Sequence, residues 1–169
     1  MGGFRYNDGG RAAANFKGDA GDCVTRAICI ASGRPYAEVY EKMAAGNKSQ
    51  RLTKHSRRHK ITAGHRTANH GIWTQRKWFK DYMVSIGFRW VPTMFIGSGT
   101  TVHLNADELP AGRIICSVSR HYTAVIDGVV HDTFDPQRED SWEIGSKNGV
   151  GYRKKIGGRA VYGYWILEA

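Results

Sequence analysis

The sequence predicts an α+β fold in which N-terminal helices pack on a C-terminal antiparallel sheet. Two observations carry this expectation: helical spacing of apolar residues before Gly87, and short β-prone runs cut by Gly, Pro and Asn after it. A third bounds its size. With 169 residues, 41% of them hydrophobic, residues 1–169 have enough apolar surface for one core and are expected to form a single domain.

Residues 1–20 are rich in Gly, Ala and polar side chains without a sustained period, so they are expected to drape over the domain as an extended lead-in. A first helix is expected from about Asp22 to Ser32, with Asp22 or Gly21 as N-cap and Gly33 past its end. Pro35 suits the first position of a second helix. Its stripe is Tyr36, Val39, Tyr40 and Met43, and Gly46 is expected to end it. Residues 47–71 hold only Leu52 and Ile61 as large aliphatic side chains, which predicts a mobile basic loop or insertion. A third helix is expected from Trp73 or Thr74 to Gly87, on the spacing of Trp78, Phe79, Tyr82, Met83 and Ile86. The β-prone runs are FRWVP, TTVHL, RIICSVS, HYTAVI, VVHDTF and AVYGYWIL.

The formal charge of +10 is unevenly spread. Eleven of the 25 basic residues lie between Lys42 and Lys80, where there is no Asp or Glu, leaving 14 against 15 acidic residues elsewhere. Interleaved with Trp73, Trp78, His55, His59, His65 and His70, the segment 47–80 is a candidate nucleic-acid contact, with Arg51, Lys54, Arg57, Arg58, Lys60 and Arg66 facing phosphates. The plain alternative is a solvated loop. Three cysteines, Cys23, Cys29 and Cys116, without a CxxC pair, argue against a disulfide framework and a zinc site, and no cofactor or metal is expected. Apolar runs fall far short of the ~20 residues that cross a bilayer, and the N-terminus lacks a secretory signal, so the expected location is cytoplasmic without membrane contact.

Asp127-Gly128 between two β-branched runs predicts a two-residue hairpin turn. Its register would place Ile126 opposite Val129, Thr123 opposite Asp132 and His121 opposite Phe134. His121 and Asp132 then share a face as diagonal neighbours, while His131 falls on the other. Cys23 differs from Cys29 and Cys116, which sit in apolar runs. It opens a helix in a polar, glycine-punctuated setting, where unsatisfied N–H groups and the helix dipole favour thiolate. His121 would serve as base and Asp132 as its orienting partner.

The order of Asp22-Cys23 at a helix start, His121-Tyr122-Thr123-Ala124-Val125 on a strand and Asp132 on the next resembles the papain-like cysteine peptidase fold. The nearest pattern is that of the bacterial C39-like peptidases. The chain is also similar to a group of bacterial and phage proteins through NDGGRAAANFKGDAGDC, VPTMFIGSG and VYGYW, a likeness that implies no activity. The first resemblance implies a cysteine peptidase, isopeptidase or amidase acting on a protein or peptide through Cys23, His121 and Asp132. Its usual Gln upstream of the nucleophile is missing, and Asn15 is the nearest amide that could serve as oxyanion donor. The alternative is a nucleic-acid-binding or inactive papain-like protein that uses the basic segment.

Overall fold

The structure, a computed structural model, describes residues 3–18, 21–51, 67–69, 71–139, 141–155 and 157–168. Among them are three helices: α1 (Cys23–Ser32), α2 (Tyr36–Ser49) and α3 (Lys77–Ser85). The strands are β1 (Phe4–Tyr6), β2 (Phe88–Pro92), β3 (Arg113–Val118), β4 (His121–Ile126), β5 (Val129–Asp132), β6 (Trp142–Lys147), β7 (Val150–Lys155) and β8 (Gly163–Leu167). Six strands form one sheet in the order β1-β5-β4-β3-β8-β2, and β6 pairs with β7 in a ribbon of their own. The α+β class is as expected. No helix among the described residues is long and apolar enough to cross a membrane.

The strand registers follow side-chain chemistry. Ile126 opposes Val129 and Val125 opposes Val130 across the Asp127-Gly128 turn, as the sequence predicts. Both turn residues have positive φ, 48° and 80°, which a right-twisted hairpin requires. On one side of the sheet Ile115, Tyr122, Ala124 and Trp165 meet Ile28 of α1, Val39 and Met43 of α2, and Phe79 and Met83 of α3. On the other side Ile114, Cys116, Val118, Val125 and Val130 pack with Leu104, Leu109 and Val161 from the connecting loops. Strand β4 is thus buried on both faces over Tyr122–Val125, between the helices on one side and the loops on the other.

Several boundaries differ from expectation, each for a physical reason. Helix α2 continues through Gly46 to Ser49 because a Cβ at position 46 would collide with the Trp78 ring; the glycine serves close packing between α2 and α3 and not a helix stop. Helix α3 starts at Lys77, after a turn in which the Arg76 N–H donates to the Trp73 carbonyl at 3.0 Å. Thr100–Leu104 makes a single bridge, His103 to Ala160, and no strand. Its polar groups are shared between backbone and side chains: the Leu104 N–H donates to the Arg159 carbonyl at 2.8 Å, Val102 accepts from the Val161 N–H at 3.0 Å, Thr101 Oγ1 donates to the Thr93 carbonyl at 2.6 Å, and Glu108 accepts from the His103 N–H at 2.8 Å.

The two ends of the basic segment are not loose. Asn47 is buried at the close of α2, and its Nδ2 donates to the Thr67 carbonyl at 3.0 Å, while Ala68 joins the core. Residues 52–66 and His70 lie outside the described residues.

Two pairings go beyond the expected elements. The lead-in contributes β1, which lies parallel to β5 with Tyr6 beside Asp132. The ribbon of β6 and β7 turns at Asn148-Gly149, a hairpin signal of the same kind as Asp127-Gly128.

Candidate active site

Cys23 is the first residue of α1, and α1 packs on β4, whose first residue is His121. Asp132 ends β5, so the hairpin brings the imidazole and the carboxylate to the same end of the sheet as the helix start. His121 Nε2 lies 2.6 Å from Asp132 Oδ2, the diagonal contact that the register predicts. The Cys23 side chain lines the same cleft as His121 and Tyr122, close enough for both to act on its thiol. With Nε2 on Asp132, Nδ1 is the ring nitrogen left for sulfur. Phe134 stacks on the imidazole with ring centroids 4.9 Å apart and shields it from one side.

The electrostatics follow from these contacts. Burial pushes the Cys23 thiol up, but the His121 and Tyr122 hydrogen bonds and the charges of His121 and Arg26 outweigh it and hold the thiol below its ordinary value. Burial pulls His121 down, yet Asp132 and Cys23 raise it to about 9. Asp132 is also pushed up by burial and then brought below the usual carboxylate range by His121. The two shifts act in the same sense, favouring a thiolate beside an imidazolium over the neutral pair. The other two thiols behave oppositely: burial raises Cys29 to about 12 and raises Cys116 as well. Only Cys23 has the partners that make a nucleophile.

Asp22 does not act as expected. It occupies the N-cap position, but its carboxylate makes no capping hydrogen bond to the helix. It is buried instead, accepting from Arg26 Nη1 and the Tyr36 hydroxyl, with Arg11 Nε at 3.2 Å. Arg26, itself 3% exposed, reaches in the other direction with Nη2 at 3.8 Å from Asp132 Oδ1. One guanidinium therefore ties the start of the nucleophile's helix to the carboxylate behind the histidine. Because Asp22 turns inward, its carboxylate leaves the backbone N–H groups at the start of α1 uncapped.

A cleft of about 300 Å³ opens over Cys23 and His121. Gly71, Ile72 and Thr74 form one wall, and Ser117, Val118, Arg120 and Tyr122 form the other. The first wall is held from behind by Asn47 and by a close approach of the Asn69 carbonyl to Gly21, where a Cβ would collide. Trp78 Nε1 donates to Gln50, whose amide donates to Asn47 Oδ1, extending the brace into α3.

Asn15 is not among the residues lining this cleft. It is exposed at the end of the turn after β1, with φ of 62°. Of the basic residues proposed to face phosphates, Arg51 is exposed just past α2, and Lys54, Arg57, Arg58, Lys60 and Arg66 lie outside the described residues, as do His55, His59, His65 and His70. Among the described residues no group of three His, Cys, Asp or Glu side chains could hold a metal ion.

Arg26 is the functional residue that the sequence reading passes over. Its signal was present as the i,i+4 spacing of Asp22 and Arg26 at a helix start, with the arginine inside the otherwise apolar run VTRAICI. The wall at Gly71, Ile72 and Thr74 gave no comparable signal, because the composition around it reads as loop. Compared with known proteins, the chain matches no family model, no curated protein and no solved structure.

Proposed function

We propose that this protein is a cysteine-dependent hydrolase with papain-like topology, acting on amide or isopeptide bonds of a protein or peptide. The observation that carries the reading is the gathering of three side chains: Cys23 and His121 line one cleft, and His121 Nε2 lies 2.6 Å from Asp132. The order of elements supports the topology, with the thiol at the start of α1, the imidazole at the start of β4 and the carboxylate on β5.

In this reading the Cys23 thiolate attacks the substrate carbonyl carbon, and the oxyanion that forms is met by N–H groups at the start of α1. His121 gives its proton to the leaving nitrogen as the carbon–nitrogen bond breaks, leaving a thioester on Cys23. The neutral imidazole then takes a proton from water as the hydroxide so formed attacks the thioester, and the carbon–sulfur bond breaks to release the acid and restore the thiolate beside the imidazolium. Asp132 keeps Nε2 occupied so that Nδ1 faces the reaction.

An activated ester separates the two halves of this cycle. p-Nitrophenyl acetate is expected to release a burst of nitrophenolate equal to the protein present, with the acetyl group found on Cys23 by peptide mass mapping. Cys23→Ser should lose the burst. Acetyl spread evenly over lysines, or a burst that survives in Cys23→Ser, would defeat the reading.

A further inference from the structure

Three two-residue hairpin turns join antiparallel strands here. Two place glycine in the left-handed position, Gly128 with φ of 80° and Gly149 with φ of 77°. The third, Ser119-Arg120 between β3 and β4, places an arginine there with φ of 57°. Glycine adopts that conformation without steric cost and an L side chain does not, so the turn gains nothing locally from arginine. What the arginine gains is position. It directly precedes His121 and lines the cleft over Cys23.

The turn is also held from outside. Arg159 Nη2 donates to the Ser119 carbonyl at 2.6 Å, fixing the peptide unit that leads into Arg120. Arg120 itself is exposed, and among the described residues its side chain makes no hydrogen bond or ion pair and no Asp or Glu lines the cleft. A guanidinium held at the rim in a costly backbone conformation, with no described carboxylate beside it, suits a carboxylate arriving with the substrate.

We propose that Arg120 forms an anion-recognising subsite beside Cys23, selecting peptide substrates that present a carboxylate next to the bond cleaved. The proposal rests on the hydrolase reading above and adds its substrate class. The carboxylate comes from an acidic side chain or from a free chain end, and both are bound by the same bidentate geometry.

Paired alkylating reagents test it. Iodoacetyl-glutamic acid α-amide and iodoacetyl-glutamine α-amide have nearly the same shape and differ in charge; iodoacetyl-glycine carries a terminal carboxylate. In each case the Cys23 thiolate forms the sulfur–carbon bond and iodide leaves. The wild-type protein is expected to react about three- to fivefold faster with a carboxylate reagent than with the glutamine reagent at low salt, the size of an exposed ion-pair effect. Which of the two acids is favoured identifies the source of the carboxylate.

The preference should shrink with added salt and vanish in Arg120→Gly, a variant whose backbone fits the turn better than the native residue. The neutral reagent separates the two claims. A Cys23 no faster than Cys29 with the glutamine reagent overturns the hydrolase reading and the subsite with it. A fast Cys23 with equal rates for acid and amide, or a preference retained in Arg120→Gly, overturns the subsite alone.

Discussion

Arg26→Met is expected to destabilise the fold by about 3–5 kcal/mol, the usual cost of removing one partner from a buried charge pair. Asp22 is 1% exposed and would keep only Arg11 and the Tyr36 hydroxyl, while Asp132 would lose the cation facing its Oδ1. Urea unfolding measures the loss. Methionine fills much of the arginine volume, so the effect reports charge more than a cavity. Replacing the partner as well, in Asp22→Leu with Arg26→Met, should return much of the stability, because an apolar pair needs no desolvation of charge. The double variant should still label more slowly at Cys23 than wild type, since Arg26 is one of the charges that lower that thiol. A single variant as stable as wild type would show that the guanidinium does not bridge the two carboxylates.

His121→Ala is expected to slow alkylation of Cys23 at pH 6 by at least ~100-fold. The native thiol is pushed up by burial and brought down chiefly by the His121 hydrogen bond and charge. Without them burial dominates, and each unit by which the thiol rises removes a factor of ten in thiolate at a pH below its pKa. The same variant should lose ester turnover, because among the described residues no other imidazole lines the cleft. His131 sits on the opposite face of β5. Rates unchanged in His121→Ala would mean that the thiol owes nothing to the imidazole.

The gathering of three side chains was legible in the sequence because each link rests on a local rule. Asp127-Gly128 fixes a turn, the turn fixes a register, and the register makes His121 and Asp132 diagonal neighbours. Cys23 was legible through its contrast with the apolar surroundings of Cys29 and Cys116. The role of Asp22 was not, because a capping aspartate and a buried ion-paired one look alike at a helix start. The choice depends on Tyr36 and Arg11, which come close only in the folded chain.

Gly46 misleads for a similar reason. A glycine that stops a helix and one that admits a neighbouring Trp78 ring carry the same letter. The cleft wall at Gly71, Ile72 and Thr74 was hidden by the polar sequence around it, since its supports, Asn47, Gln50 and the close approach of Asn69 to Gly21, come together only in the folded chain. The ribbon of β6 and β7 was within reach: Asn148-Gly149 is as strong a turn signal as the one that located the site. Its strands carry exposed Ile144 and Val150 among charged residues, which blurs the alternation that marks a strand.

The most direct test of the central claim, that Cys23 and His121 form a thiolate–imidazolium pair, is the rate of iodoacetamide labelling of Cys23 as a function of pH. A lowered thiol pKa and a His121 pKa raised to about 9 place the ion pair between those two values. Labelling should therefore rise at a pH below the ordinary thiol range, hold a plateau through neutrality, and rise again near pH 9 as the imidazolium loses its proton and frees a more nucleophilic sulfur. Cys29, raised to about 12, should stay silent across the whole range. A single step at or above pH 9, with Cys23 unreactive at neutral pH, would contradict the pair and the chemistry built on it.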